Sequence, residues 1–272
     1  MDRNTIVSVG AVVSSMLVLA GAAAGQNVSI TFENTTAAGG GSFTPYWFAL
    51  HNGGFDSYDG GSTAAGFPGL EELAEEGDTG PISAAFAASP AGMAGGVDGT
   101  AVAISGPGDA PVLSPGESVT VSVDAGDSSV NRWFSYASMV VPTNDLFVGN
   151  GNPFAHEVFD ASGNFNGPVE ILLFGSSVND AGTEVNDAFA GAAFSTNGGT
   201  GVTEDLPVRN FFTVAGDVDY LDSFLNTGTA DGGTITTAFG PADLIGRITV
   251  VPAPSTAALV GLGGLAAMRR RR

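Results

Sequence analysis

The sequence has no cysteine and no lysine, and it has only two histidines among its 272 residues. The absence of cysteine excludes disulfide bonds, thiolate catalysis and cysteine metal sites. Residues 26–251 also lack a Gly-x-Ser-x-Gly nucleophile motif, a paired-histidine metal motif and a phosphate-binding loop. Among the groups that could carry chemistry, these absences leave the carboxylates, which are abundant.

Positive charge is scarce and is carried by arginine alone. Lysine and arginine together number 8 against 28 acidic residues, which gives a formal net charge of -20. Within residues 26–251 the only basic residues are Arg132, Arg209 and Arg247, whereas every acid except Asp2 lies there. Such a surface repels nucleic acid and anionic lipid, and it attracts cations or basic partners. We expect no nucleic-acid partner, and we expect most of the acids to be solvated.

The apolar pattern predicts an all-β protein, because 41 glycines and 14 prolines separate short apolar runs. Apolar residues alternate along residues 28–32 and 119–123 with the period of two of a half-buried strand. Further strands are predicted at residues 46–50, 101–104, 134–141, 169–174, 211–214, 234–237 and 245–251. Together they predict one antiparallel β-sandwich over residues 26–251.

One helix is predicted in the acidic stretch FPGLEELAEEG. Pro68 lies near its start and Gly77 lies just past its end, which are the usual positions of these residues at helix boundaries. Its shortness and acidity indicate a connecting helix and not one that binds a partner.

Residues 1–25 have the layout of a secretory signal peptide. Arg3 precedes an apolar stretch at residues 6–20, and small residues follow in AGAAAGQ. We expect cleavage between Ala22 and Gln26. A stable membrane anchor is the alternative, although the apolar stretch is shorter than the roughly 20 residues of a spanning helix.

Residues 252–272 run from Pro252-Ala253-Pro254 through an apolar stretch to four terminal arginines. This tail resembles the bacterial PEP-CTERM sorting signal, in which Pro-Glu-Pro precedes an apolar helix and a basic cluster. Ala253 replaces the central glutamate of that motif. The resemblance implies transient insertion in the inner membrane, processing by an exosortase-type enzyme, and export to the cell surface or the medium.

Two segments place acids beside apolar runs. In SMVVPTNDLFVGN, residues 138–150, Asp145 separates two apolar runs, where an ionised carboxylate would be costly to bury. We expect Pro142 to end strand pairing and Asp145 to lie on a loop at the end of the sandwich. In the later segment VNDAGTEVND, Asp180 and Glu184 flank Gly182, whose backbone freedom would let both carboxylates face one centre. Calcium takes about six to eight oxygen ligands, and Asp145, Asp180 and Glu184 could supply three of them if the two loops meet at one end of the sandwich.

The same two segments, with RWFSYASMVVPTNDLFVGN and VNDAGTE, resemble the spondin N-terminal domain family. Members of that family have a strand that ends in a Val-Pro-Ser-Pro-Asp-like segment, and later an Asp-Ala-Gly-Thr-Asp segment. The resemblance implies an antiparallel β-sandwich with a calcium site formed by Asp145, Asp180 and Glu184.

Two positions depart from the family pattern. Glu184 replaces an aspartate, and Leu146 replaces an aromatic residue. The resemblance covers residues 28 to about 225, and the stretch that follows, up to Val251, is expected to add an edge strand.

Other polar and aromatic candidates have ordinary explanations. His51 and His156 are isolated and are expected on the surface. Trp47 and Trp133 are expected in the core, with sugar-stacking platforms as the alternative.

A third acidic group lies in GDVDYLDSF. Asp217, Asp219 and Asp222 indicate a solvated edge, and a second metal site is the alternative.

Two functions follow from these patterns. The first is an exported, non-catalytic, calcium-binding protein of the cell surface or extracellular matrix, which contacts polysaccharide or other cell-surface material. The second is a secreted polysaccharide hydrolase, because two carboxylates suffice for glycoside hydrolysis.

Overall fold

The computed structural model describes residues 26–103, 111–230 and 232–254. The chain folds into two antiparallel sheets that pack face to face, which confirms the predicted all-β sandwich. The strands are β1 (Asn27–Asn34), β2 (Ser42–Phe43), β3 (Tyr46–His51), β4 (Val97–Ala101), β5 (Ser118–Asp124), β6 (Trp133–Val141), β7 (Leu146–Gly149), β8 (Val169–Phe174), β9 (Val178–Asp180), β10 (Arg209–Asn210) and β11 (Leu244–Pro252).

In the described residues four short helices accompany the sheets: α1 (Leu70–Glu76), α2 (Gly80–Ala88), α3 (Pro90–Met93) and α4 (Asp217–Asp222). The predicted helix is confirmed as α1, and Gly77 ends it in the left-handed conformation at φ 69°. The prediction of a single helix is wrong. Helices α3 and α4 are too short to display a helical apolar period, and α2 (GPISAAFAA) consists almost entirely of small and apolar residues, so the sequence carries little signal for them.

The smaller sheet has four strands in the order β5-β1-β11-β8. Strand β11 pairs with β1 in a register that sets Val250 opposite Ile30, and with β8 on its other side. The prediction that the last stretch adds an edge strand is therefore wrong, because β11 is an interior strand. Its neighbours are far away in sequence, and a local pattern does not reveal how many strands flank a given one.

The larger sheet has seven strands. Six follow the order β10-β9-β7-β6-β3-β4, and β2 pairs with the far end of β6. This order places β7 beside β9, and so it brings together the two acidic segments that the sequence analysis singled out.

The main core lies between the two sheets. Tyr46, Phe48 and Leu50 point into it from β3, and Ile30 and Phe32 meet them from β1. Phe32 stacks on Tyr46 with ring centroids 4.6 Å apart. Alternate residues of a strand face opposite sides, so these even-numbered positions of β1 and β3 form facing surfaces of the sandwich.

A second core lies on the outer face of the larger sheet. Trp47 and Ala49 of β3 and Phe147 of β7 pack there against α1 and α2, through Leu73 and Phe86 among others. Strand β3 is consequently buried on both faces, as its burial pattern shows. The protein has three layers, with the helices covering part of the larger sheet.

Three predicted strands differ from the structure. Residues 211–214 form a 3₁₀ turn (Phe211–Thr213), and residues 234–237 contribute only an isolated bridge between Gly228 and Thr234. The strand predicted at residues 101–104 begins earlier, as β4, and Ile104 lies outside the described residues.

The predicted signal peptide at residues 1–25 and all but the start of the predicted tail lie outside the described residues. The described start of the tail continues the sheet, because Pro252 is the last residue of β11. Within the described ranges, no helix has both the length and the apolar character needed to cross a membrane.

Candidate functional site

The junction of β7 and β9 brings two of the predicted metal ligands together. Asp145 directly precedes β7 and Asp180 ends β9, where it pairs with Leu146. The Ala181 N–H donates to the Asp145 carbonyl oxygen over 3.2 Å. Both carboxylates are buried, with Asp145 0% and Asp180 2% exposed.

Asp145 lies on the loop between β6 and β7, as predicted, but it is buried and not exposed to water. Its Oδ2 accepts hydrogen bonds from the Thr183 N–H (2.8 Å), the Glu184 N–H (3.2 Å) and the Thr183 hydroxyl (3.3 Å). Backbone donors therefore replace water around this oxygen. The other oxygen, Oδ1, is buried and has no hydrogen-bond partner in the part of the chain that the structure describes.

The chain reaches this geometry through a tight turn after β9. Asp180 Oδ1 accepts from the Gly182 N–H over 2.9 Å, and Gly182 has a φ of 69°. A side chain at position 182 would also lie 2.5 Å from the Leu206 carbonyl oxygen. The glycine therefore lets the next two N–H groups point back at Asp145.

Burial makes Asp145 a weak acid in this setting. Burial first, and the charge of Asp180 second, raise its pKa from 3.8 to about 7. The hydrogen bonds from Glu184 and Thr183 act in the opposite direction and offset only part of the rise. Near neutral pH this carboxyl therefore holds a proton part of the time, or it requires a nearby positive charge.

Among the described residues, Arg209 places a positive charge at this junction. Its Nη2 lies 2.6 Å from Asp180 Oδ2, and its Nη1 lies 2.9 Å from Asp217 Oδ2. Asp217 is only 7% exposed, so the prediction of a solvated edge is wrong for this residue. Asp219 and Asp222, on the same helix, are exposed as predicted.

The third predicted ligand, Glu184, directs its side chain at Asn144. Glu184 contributes its backbone N–H to Asp145, while its Oε2 accepts from Asn144 Nδ2 over 3.2 Å. Its carboxylate also lies against Gly201, where any side chain would collide with it. The turn thus brings the backbone of Glu184, and not its carboxylate, to Asp145.

Asn144 organises this part of the site and was missed by sequence reasoning. Besides Glu184, it donates to the Ala190 carbonyl oxygen (3.0 Å) and accepts from the Asp187 N–H (3.1 Å). The Tyr220 hydroxyl lies 2.8 Å from both its N–H and its Oδ1. The signal for it was the polar pair Asn144-Asp145 between two apolar runs.

Further acids raise the negative charge around the site. Burial raises the pKa of Glu75, and the charge of Glu184 adds to the effect, although a hydrogen bond with Thr183 opposes it. Burial and the charge of Asp180 likewise raise the pKa of Glu204. Several carboxylates therefore lie around Arg209, which pairs directly with Asp180 and Asp217.

The donor chemistry fits a hard cation only in part. Asp145 Oδ1 is an orphaned buried oxygen, and so is Asn186 Oδ1, whose Nδ2 donates to Asp180 over 2.6 Å. Oxygen atoms of this kind are what calcium prefers. Against this, Asp180 is already paired with Arg209. Among the residues described, no three His, Asp or Glu side chains are grouped closely enough to hold a metal ion.

His51 is buried and not on the surface, contrary to the prediction. It is 0% exposed; its Nδ1 accepts from the Gly53 N–H (2.9 Å), and its Nε2 lies 2.8 Å from the Ser135 hydroxyl. Because Nδ1 is an acceptor, we assign the proton to Nε2, which donates to Ser135. The pair therefore cannot work as a base that activates a serine. Burial lowers the pKa of His51 to about 4.

The remaining candidates divide between core and surface. Trp47 is fully buried, as predicted, and its Nε1 donates to Asp98 over 3.2 Å. Trp133 is only partly buried and meets the exposed ring of Phe154 edge to face, with centroids 5.3 Å apart. His156 is half-buried, and burial lowers its pKa.

The chain matches no protein-family model, and a search of curated proteins finds no significant match.

Proposed function

We propose that the protein is an exported, non-catalytic β-sandwich of the cell surface or extracellular matrix. In this proposal it binds calcium at Asp145 and Asp180 and associates with polysaccharide or other cell-surface material. The single observation that carries the calcium proposal is the buried, unpartnered Oδ1 of Asp145 beside a second buried carboxylate. A calcium ion would supply to Asp145 the positive charge that Arg209 gives to Asp180 and Asp217.

Melting experiments test the metal. A ligand that binds only the folded state raises its stability, so calcium should raise the melting temperature of the wild-type protein above its value in chelator. The rise should vanish in Asp145→Ala and in Asp180→Ala. Asp219→Asn is the matched control, because Asp219 is an exposed acid, and it should keep the full rise. An unchanged wild-type melting temperature would remove calcium from the proposal.

The calcium proposal has two forms, which differ in whether the Glu184 carboxylate binds the ion. If its carboxylate turns away from Asn144 to complete the site, Glu184→Gln should weaken calcium binding as strongly as Asp180→Ala does. If only its backbone takes part, Glu184→Gln should leave the calcium-induced rise intact. Isothermal titration with calcium distinguishes the two.

Export and association with the surface rest on the two ends of the sequence and on the strong negative charge. Cell fractionation tests them: the wild-type protein should appear outside the inner membrane. A variant that ends at Pro254, and so lacks the apolar stretch and the arginines, should escape processing by the exosortase-type enzyme. Retention of the wild-type protein in the cytoplasm would contradict this part of the proposal.

The hydrolase alternative has one observation in its favour. A carboxyl with a pKa of about 7 is suited to general acid catalysis, and Asp180 is a second carboxylate beside it. Against it, Asp145 is 0% exposed, so a polysaccharide could not reach it without opening the β7–β9 junction. Turnover of a polysaccharide that is abolished in Asp145→Asn would favour the hydrolase over our proposal.

A further inference from the structure

A cleft of about 410 Å³ lies at one end of the sandwich, and none of its lining residues belongs to the β7–β9 junction. One wall is the loop after β1, through Thr35 and Thr36, and the other is the segment that leads into β11, through Thr237, Phe239 and Asp243. Its volume falls within the range of roughly 300–1,000 Å³ in which small-molecule sites lie.

Hydrogen bonds hold the first wall in place. The Asn34 Oδ1 accepts from the Thr36 N–H (2.9 Å), and the Asn34 Nδ2 donates to the carbonyl oxygens of Gly41 (3.0 Å) and Leu113 (2.8 Å). Asn34 is 1% exposed, so this anchor is shielded from water.

Hydrogen bonds connect the second wall to the first wall and also form within the second wall. The Thr236 N–H donates to the Gly39 carbonyl oxygen over 2.8 Å, and the Gly240 N–H donates to Asp243 Oδ2 over 2.7 Å. A cleft whose walls are already ordered loses little conformational entropy when a ligand enters.

The side chains of the cleft offer hydrogen-bond acceptors more than donors. The Thr35 hydroxyl donates its proton to the Leu244 carbonyl oxygen (2.9 Å), and the Thr237 hydroxyl donates to that of Ala38 (3.3 Å). Each hydroxyl oxygen therefore retains lone pairs only, and Asp243 adds a carboxylate. A complementary ligand must bring its own donors, as the hydroxyl groups of a sugar do.

An aromatic ring gives the cleft an apolar surface. Phe239 is half-buried, and its ring is held edge to face against Phe212, with centroids 6.0 Å apart. The lining residues include no arginine and no histidine, so an anionic sugar would find no counter-charge beside Asp243. An aromatic ring among hydrogen-bond acceptors is suited to the apolar ring face and the hydroxyl edge of an uncharged saccharide.

We propose that this cleft is the saccharide-binding site of the protein and that it takes an uncharged oligosaccharide. The inference rests on the proposed association with polysaccharide, and it names the site and the ligand class. It does not depend on calcium at Asp145.

The test uses the full chain without its predicted signal peptide. An array that carries neutral oligosaccharides with α- and β-linked hexoses beside uronic-acid oligosaccharides selects a probe, and isothermal titration with that probe then measures affinity. Phe239→Leu keeps an apolar side chain against Phe212 but removes the ring, and Asp243→Asn keeps an acceptor for Gly240 but removes the charge. Each should weaken binding about tenfold, which corresponds to roughly 1.4 kcal/mol. Phe154→Leu and Asp205→Asn, an exposed aromatic residue and an exposed acid outside the cleft, are the controls and should bind as the wild type does.

The outcomes separate this inference from the proposed function. If the wild-type protein binds a neutral saccharide and both cleft variants bind it equally well, the cleft is not the site, while association with polysaccharide stands. If only uronic-acid oligosaccharides bind, the ligand class is wrong. If no saccharide on the array binds, the cleft inference and the polysaccharide part of the function both fail, and the calcium proposal is still judged by its own melting experiment. Unchanged melting temperatures of the variants show that any loss of binding is not unfolding.

Discussion

The guanidinium of Arg209 lies 2.6 Å from the Asp180 carboxylate, and its other end pairs with Asp217. The arginine side chain is only 29% exposed, and both acids are nearly buried. Arg209 is thus the internal counter-ion of the β7–β9 junction.

Replacement of Arg209 by glutamine should destabilise the protein by about 3 kcal/mol, because it leaves two buried carboxylates without a counter-ion. Urea denaturation in chelator measures the loss. Arg247→Gln is the control, since Arg247 is more exposed and its partners Glu33 and Glu170 are partly solvated. If calcium binds at the junction, it should restore part of the stability of Arg209→Gln, because it would replace the lost charge.

Stability should fall as the pH rises through neutrality when no metal is present. The pKa of Asp145 is about 7 in the folded protein against 3.8 for an ordinary aspartate, so the folded state binds the proton more tightly. Between these two values each rise in pH therefore favours the unfolded state, and above about 7 the penalty is complete.

Asp145→Asn removes this titration, so its stability should change less than that of the wild-type protein between pH 5 and pH 8. Melting temperatures in chelator at several pH values test the difference. Identical pH profiles for the two proteins would contradict the assignment. Asp205→Asn controls for the general loss of one negative charge.

The pH dependence of stability that His51 contributes should have the opposite sign to that of Asp145. Its folded pKa is about 4 against 6.5 when exposed, so the unfolded chain binds the proton more readily in that interval. Stability contributed by the neutral imidazole is full above 6.5 and is lost as the pH falls toward 4. NMR titration of the two histidines should show one imidazole that remains neutral until about pH 4, and His51→Gln should remove that resonance.

The turn that delivers the N–H groups to Asp145 should be intolerant of a side chain at position 182. Gly182→Ala places a Cβ at a φ of 69° and 2.5 Å from the Leu206 carbonyl oxygen. Left-handed strain alone costs about 1–2 kcal/mol, and the collision adds to it. Gly198→Ala is the matched control, because Gly198 has a φ of 70° and open space around it. The free energy of unfolding of Gly182→Ala should be the lower of the two, and equal values would exclude the collision.

The strands show which part of the structure a local pattern can predict. Residues 28–32 and 119–123 alternate between apolar and polar, and both form strands of the smaller sheet, whose outer face is open to solvent. The helix α1 was predicted from Pro68 and Gly77, because these residues restrict the backbone directly. In contrast, Phe211 and Phe212 indicated a strand but occupy a 3₁₀ turn, since their rings pack around Tyr220 and Phe239.

The site, like the fold, could be predicted from the sequence only in part. The sequence placed Asp145 and Asp180 next to strand-like runs, and the antiparallel pairing of β7 with β9 brings them together. It did not predict that Asp145 is buried, because burial depends on a turn some 40 residues later that folds over it. Nor did it assign Arg209 to Asp180, although scarce positive charge in an acidic chain was a signal that each arginine would be paired.

By itself, the sequence determined the class of fold, the position of most strands, the strong negative charge and the exclusion of cysteine chemistry. These are local or compositional properties, fixed by side-chain period, turn residues and counts. The tertiary structure alone decided that β11 is an interior strand and that β3, including His51, is buried on both faces. It also decided that Asp145 is buried and that its Oδ1 has no hydrogen-bond partner among the described residues. Those outcomes depend on which distant segments cover a residue. Burial raises the pKa of a carboxyl group, so a buried carboxylate binds a proton or a cation more readily than an exposed one does.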